Sequence, residues 1–378
     1  MGESRDLLSK QESFLNERLY SLDALRGFDM FWIMGAEEVV HGLSETTHLA
    51  FFQSFSDQLR HPAWNGFTCY DLIFPLFIFL AGVSTPYSIG NALEKGIAKH
   101  VLLKKILLRG FTLVILGIIY NNGLILRPIA DIRFSSVLGR IGIAYMLANF
   151  IYLYSKQAWL LIWFCGLLIG YYLILKFASA PGYAAGDLTM PGNFASYVDR
   201  LILPGKLSKG IHDTVGFFNN IPVICNALAG IMVGVYLRKT TSNGRRKTLY
   251  LLAAGCFSLL LAQLWNLDFP INKNLWSSSF VMQTVGLSLL FFAVFYYVID
   301  VLGYKKWAFP FQVIGVNSIL IYISDKFIDW EFTAKKLFEW GYLWSGESGM
   351  LVGAALSILF LKWIFLRFLY KKNIFLRV

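Results

Sequence analysis

"QLRHPAWNGFTCYDLIFPLFIFLAGVS", residues 58–84, changes character halfway along. His61, Asn65 and Asp71 lie in its polar, aromatic-dotted first half, and from Leu72 onward about a dozen residues are almost all apolar. Groups suited to proton transfer thus sit at the lip of an apolar helix. The rest of the chain decides whether that helix crosses a membrane and whether its polar end is an anchor or a reaction centre.

Of 378 residues, 56% are hydrophobic and only 15% are charged, far more apolar than a soluble domain needs to be. Runs of roughly 20 apolar residues recur near 21–43, 69–92, 101–121, 134–154, 157–178, 217–238, 248–267, 276–299, 308–328 and 349–369. Each is long enough to cross a hydrocarbon core about 30 Å thick. The short alternating segments of a membrane barrel are not seen, so the expected fold is all-α. It is a polytopic membrane protein with about ten transmembrane helices, or eleven if a further span lies near 331–345. The expected organisation is a cytoplasmic segment 1–20, a transmembrane domain 21–370 with outward loops 44–68 and 179–216, and a cytoplasmic tail 371–378.

Residues 1–18 mix both charge signs without an apolar core, so no cleaved signal peptide is expected. Cys69, Cys165, Cys225 and Cys256 fall in or beside spans at no metal-ligand spacing. They read as small buried apolar residues, with no disulfide and no metal site. Lys and Arg number 34 against 23 Asp and Glu, a net charge of +11 that reports topology and not nucleic acid. Basic clusters at 94–105, 237–247, 304–306 and the C-terminal tail fall on one side of ten spans, which the positive-inside rule makes cytoplasmic along with both termini. His61 is then extracytoplasmic, and a bacterial inner membrane is the expected location. Arg127, Arg133, Lys206 and Lys335 run against the rule.

The first span, "SLDALRGFDMFWIMGAEEVVHGL", is costly for a bilayer, since intramembrane ionisable groups normally face a cavity or a partner. At about 100° per residue, Asp23, Arg26, Glu37 and His41 share a stripe roughly 60° wide, with Asp29 beside it. Asp23 and Arg26 fit a stapling ion pair as well as a site; Glu37, near the outer end, fits a polar cavity better. Arg140 in "SVLGRIGIAY" must meet an anion, either a protein carboxylate or a ligand phosphate. Asn272, Lys273, Asn274 and Trp276 stand at an outer mouth, with Asn272, Lys273 and Trp276 the candidates for binding an acceptor. Asn317 and Ser318 read as interhelical hydrogen-bond glue.

"RLYSLDALRGFDMFWIM", "RHPAWNGFTCYDLIFPLFIFLAGVS", "VLGRIGIAY", "NNIPVICNALAGIMVG", "FPINKNLWSSSFV" and "IGVNSILIY" occur here in that order. Across residues 18–325 they resemble the heparan-α-glucosaminide N-acetyltransferase family of membrane acetyltransferases. The H-x3-N-G-x-T-x2-D block is the most specific element. The resemblance implies transfer of acetyl from cytosolic acetyl-CoA, across the membrane, to the amine of a glucosamine. The family's active histidine falls on His61 and its following Asp on Asp71; the family's Asn at the outer end of the first span falls on Glu37. A carboxylate there, where an amide would donate to an oxyanion, suits holding a substrate ammonium or raising the basicity of His61. The family's luminal soluble domain finds no counterpart ahead of the first span, so a short bacterial type is expected, whose acceptor need not be heparan sulfate.

The residues support that chemistry independently. Acetylating an amine with a thioester needs a base for the amine's proton and donors for the tetrahedral oxyanion. Imidazole serves as general base or as transient acetyl carrier, Asp71 fixes its tautomer or orients the acceptor, and Asn65 organises the loop or lines the site. The phosphates of acetyl-CoA call for cations near the cytoplasmic mouth, with Arg26, Lys105, Arg109 and Arg140 the candidates alongside Lys104. The expected partners are acetyl-CoA, an amino-sugar or glycan acceptor and the lipid bilayer, with a homodimer admitted. An O-acetyltransferase of an envelope glycan is the nearest rival; a small-molecule transporter would explain the polar stripe, but no related halves are visible.

Overall fold

The computed structural model of the protein describes residues 19–125, 127–342 and 346–376. Its regular elements among these residues are all helical. The chain begins with α1 (Tyr20–Phe31), a π-helical turn (Trp32–Ala36) and α2 (Glu37–Thr47), followed by a short α3 (Ala50–Gln58). A tight turn (Cys69–Leu72) leads into α4 (Ile73–Thr85), which continues through a π turn (Pro86–Gly90) to Glu94. Then come α5 (Lys99–Asn122), α6 (Val137–Tyr154), α7 (Leu160–Phe177), α8 (Phe194–Ile202), α9 (Asn220–Lys239), α10 (Gly244–Asn266) and α11 (Ser278–Phe295). Last are α12 (Phe309–Gly315), α13 (Ser318–Phe327), α14 (Trp330–Tyr342) and α15 (Gly346–Lys371).

Seven helices among the described residues are long and apolar enough to cross a membrane, or up to eight if the bent pair α12–α13 counts as one span. The seven coincide with the expected spans that begin at 69, 134, 157, 217, 248, 276 and 349. Among the described residues these criteria thus support seven or eight of the about ten spans expected, and each of the other three stretches has a visible reason. The stretch 21–43 is interrupted at Gly35, whose φ of 133° belongs to no right-handed helix. The stretch 101–121 is one 24-residue helix, but Lys104, Lys105 and Arg109 crowd its first half. The stretch 308–328 bends by 55° where Asn317 leaves helical geometry. Near 331–345 the described part is α14, whose 13 residues fall short of the about 20 needed to cross, and residues 343–345 lie outside the described residues.

The centre of the molecule is α4 against α9. Both are apolar on nearly every side, as buried helices must be, and 72% and 78% of their most apolar stretches are enclosed, against 28% for α7 and α10 and 11% for α15. The latter three thus offer most of their surface to lipid. Close approach depends on glycine: a Cβ on Gly82 would fall 2.1 Å from Ala227 O, and one on Gly230 would fall 2.0 Å from Phe79 O. The α1–α12 crossing is built the same way, with a Gly27 Cβ meeting Phe311 O at 1.7 Å and a Gly315 Cβ meeting Asp23 O at 1.9 Å. Backbones this near gain dispersion contact along their whole crossing, the usual source of helix association in lipid. Phe79, Leu80, Val83, Leu228, Ile231, Phe280 and Phe292 fill the core around them.

A polar pair joins helices α9 and α11, whereas Asn317, expected to do the same, holds a non-helical segment. Asn226 Nδ2 donates to Thr284 Oγ1 at 3.0 Å, and Asn317 ties the C-terminal tail by donating to Ile374 O at 2.9 Å and accepting from Leu376 N at 3.0 Å. The cysteines depart from expectation. All four are free, but only Cys225 is buried; Cys69, Cys165 and Cys256 are exposed, the last two on the outer faces of α7 and α10.

Candidate active site

The sequence "TCYD" builds the site's first piece locally. Thr68 and Asp71 form a capping box: the Thr68 N–H donates to Asp71 Oδ2 at 3.1 Å while the Thr68 side chain accepts from the backbone N–H of Asp71. One carboxylate oxygen is thereby committed to starting the helix that runs into α4. The other, Oδ1, is left to face His61 Nδ1 at 2.7 Å and Lys273 Nζ at 3.2 Å. Asp71 is fully buried, whereas the His61 side chain is 49% exposed, so the pair has a dry anchor and an open working face.

The second piece comes from more than 200 positions downstream. Asn272 Nδ2 donates to Asn65 Oδ1 at 2.9 Å, Gly66 N donates to Ile271 O at 2.9 Å, and Asn274 Nδ2 reaches Trp64 O at 3.4 Å. These bonds zip the His61 loop to the turn before α11. That turn is itself fixed: Asn272 Oδ1 accepts from Leu275 N at 2.8 Å, Trp276 takes a left-handed φ of 51°, and Ser277 caps α11 by accepting from Phe280 N at 3.3 Å. The result places Lys273 Nζ 3.2 Å from His61 Nδ1 and 3.1 Å from Nε2. Burial lowers the pKa of the Lys273 ammonium, and Asp71 opposes that shift.

Tyr70, which sequence reasoning missed, links a third element. Its hydroxyl hydrogen-bonds with Glu37, and its ring packs against His61 with centroids 5.0 Å apart. Glu37 thus reaches the imidazole through Tyr70. Tyr70 directly precedes Asp71 in the block, and that adjacency was the available signal. Glu37 owes its position to the break at Gly35, because α2 restarts at Glu37 in a new direction.

Arg140 stands apart from the other expected cations. On the first turn of α6 its guanidinium lies 4.8 Å over the Trp276 ring and 6.0 Å from that of Phe74, with Nη2 donating to Gly216 O at 3.4 Å. It therefore belongs with the His61 end of the protein. Asp213 and Asp199 supply the opposing charge, while Nε and Nη1 make no hydrogen bond. Trp276 is buried and donates from Nε1 to Asn226 Oδ1 at 3.0 Å, so it presents a ring and not a polar edge. Arg26 pairs with Asp23 at 3.3 Å and lies 5.9 Å from the Phe77 ring. Lys105 and Arg109 are exposed on α5, Arg109 lying 4.7 Å over Tyr145.

The long loop 179–216 closes over the His61 loop. Trp64 Nε1 donates to Leu188 O at 3.0 Å, and its ring meets the buried His212 edge-on at 5.1 Å. Asn193 caps α8 by accepting from Ser196 N at 2.7 Å. Ser196 Oγ lies 2.7 Å from His212 Nδ1, and Arg133 bonds Asp213 at 3.2 Å. Burial pushes the His212 imidazole down to about 4 and the Asp199 carboxyl up to about 6.

A helical membrane protein with a His–Asp pair at the end of a central helix, clamped by a remote loop, is the class that fold and site define. A family model described as "Heparan-alpha-glucosaminide N-acetyltransferase, catalytic" matches residues 18–262. The chain belongs to that family. It is similar to the heparan-alpha-glucosaminide N-acetyltransferase of Homo sapiens, 30% identical over 335 residues that cover 74% of this chain and 50% of that protein. It is also similar to the Mus musculus protein of the same name, 28% identical over 379 residues that cover 84% of this chain and 56% of that one. The chain spans about half the length of these curated relatives.

Proposed function

We propose that the protein is a transmembrane acetyltransferase that moves acetyl from cytosolic acetyl-CoA to the amine of an extracytoplasmic amino sugar such as glucosamine. The observation that carries this reading is the convergence of His61, Asp71 and Lys273 from two distant segments, with His61 Nδ1 held 2.7 Å from Asp71 and half of the imidazole open. Family membership supplies the reaction class.

In this reading Asp71 holds the proton on Nδ1, so Nε2 takes the proton from the attacking amine or carries the acetyl transiently. Asn65, through Asn272, keeps the His61 loop in register with its clamp. Lys273 lines the acceptor's side with the buried Trp276 supporting its turn from behind, and Glu37 acts on the imidazole through Tyr70. Arg26, Lys105 and Arg109 serve the phosphates of CoA. Arg140, at the His61 end, serves the acyl end and not the nucleotide. The pantetheine arm is roughly 15–20 Å long by chain-reach arithmetic, enough to pass a thioester from a cytoplasmic mouth beside α1 towards His61.

The test is purified protein in oriented vesicles, supplied with acetyl-CoA and a panel of amino-sugar and hydroxyl acceptors. CoA is expected on the side carrying the C-terminus and N-acetylated sugar on the opposite side. Both products on one side would overturn the transmembrane route, acetyl on hydroxyls alone would make it an O-acetyltransferase, and no CoA release with any acceptor would remove the enzyme reading.

A further inference from the structure

We propose that Lys273 is itself an acetyl acceptor, so that without an outside amine the site modifies its own lysine. The inference rests on the acetyl-transfer reading and names a modification site within it.

A base must lie within about 2.6–3.2 Å of the group whose proton it takes. Lys273 Nζ is 3.1 Å from His61 Nε2 and 3.2 Å from Nδ1, within that reach of the nitrogen that would take an acceptor's proton. The lysine does not visit this place by chance. Asp71 Oδ1 holds its ammonium at 3.2 Å, only 22% of its side chain is exposed, and its backbone sits in the turn that Asn65, Asn272 and Ser277 fix. The open face of His61 leaves room for a thioester to approach. Burial, by lowering the pKa of the ammonium, raises the share of uncharged amine.

The uncharged Nζ attacks the thioester carbonyl with its lone pair, and His61 takes one of the two protons Nζ carries. The N–C bond forms, the C–S bond breaks, and the departing thiolate receives the proton from His61. The product is an amide, which does not pass its acetyl on, so the modified site carries an uncharged blocked side chain where the acceptor amine belongs. Lys362, a buried lysine on α15, bonds Asp325 at 2.7 Å and Met34 O at 3.0 Å, with no imidazole among these partners, and is expected to stay unmodified.

Purified full-length protein incubated with isotope-labelled acetyl-CoA and no acceptor, then digested for peptide mass spectrometry, tests this. Label is expected on the Lys273 peptide, with activity toward later-added amino sugar falling in proportion. It should be absent from His61→Ala and reduced at least severalfold when acceptor is present throughout. Acetyl transfer to an added amine with Lys273 unlabelled overturns this proposal alone, as does equal labelling in His61→Ala. No transfer to any acceptor and no label overturns it together with the reading beneath it.

Discussion

Asp199→Asn should make the 179–216 loop acid-sensitive. His212 and Asp199 are both fully buried and their pKa values are displaced in opposite directions. His212 titrates at about 4 in the fold against 6.5 in a free chain, so the native loop refuses a proton that the unfolded chain accepts. Stability present above pH 6.5 is lost as pH falls toward 4, by about 3 kcal/mol at roughly 1.4 kcal/mol per pKa unit. Asp199 titrates at about 6 in the fold against 3.8, so its ionised form costs the fold about 3 kcal/mol above pH 6, and that cost is relieved as pH falls through 6 to 3.8. Between pH 6.5 and 4 each state gains about one proton, and the terms nearly cancel. The charges facing the pair are Asp213, Lys209, Arg140 and Arg200 around His212, and Arg140 and Asp213 around Asp199. Hydrogen exchange of backbone amides in 193–218, corrected for intrinsic rates, reads the local opening free energy. Wild type should stay flat from pH 7 to 4. Asp199→Asn should lose protection by a factor on the order of 10², and His212→Gln should gain protection toward acid. A flat profile in Asp199→Asn, or a steep one in wild type, would refute the compensation.

His61→Ala should keep its helical content and melting temperature, since a half-exposed loop side chain adds little packing, yet lose acetyl transfer by a factor of about 10² or more. Near-wild-type turnover would remove His61 from the mechanism. Glu37→Gln keeps shape and removes charge: if Glu37 draws a cationic acceptor, KM for the amine rises more than kcat falls, whereas action through Tyr70 moves the pH–rate profile; neither change would leave the carboxylate a bystander. Gly27→Ala drives a methyl to 1.7 Å from Phe311 O and should destabilise by about 1–3 kcal/mol or more, read as a lower melting temperature; Gly166→Ala, with nothing within 4 Å, is the control expected to stay within about 0.5 kcal/mol.

The parts of this architecture that sequence made legible are those written in local patterns. Seven spans follow from apolar run length alone. Asp71 is placed by a Thr–x–x–Asp box whose members lie three residues apart. What stayed hidden is non-local. No periodicity announces that Asn272 will bond Asn65, and with that bond unknown Lys273 reads only as a residue at a mouth. In the sequence Arg140 reads as one more cation for the phosphates of CoA; its place beside Trp276 is set by how the turn before α11 folds back. The broken first span escaped because Gly35 is one glycine among many, and only its φ of 133° distinguishes it.

That break explains how a helix lined with ionisable groups serves the site without crossing the bilayer as one apolar rod. A helix interrupted at depth leaves backbone carbonyls without their usual donors, which lipid cannot supply. Here the Met34 carbonyl accepts from Lys362 Nζ at 3.0 Å, and Asp325 neutralises the same ammonium at 2.7 Å. Lys362 is buried on α15 and Asp325 lies on α13, so one later helix supplies the donor for the carbonyl that the first one exposes and another supplies that donor's counter-charge. The turn after Met34 is then free to redirect the chain. Glu37 emerges at the start of α2 hydrogen-bonded to Tyr70, one residue from Asp71 and packed on His61. An intramembrane lysine far from His61 in sequence, and not in contact with it, thereby fixes the direction from which a carboxylate approaches the imidazole.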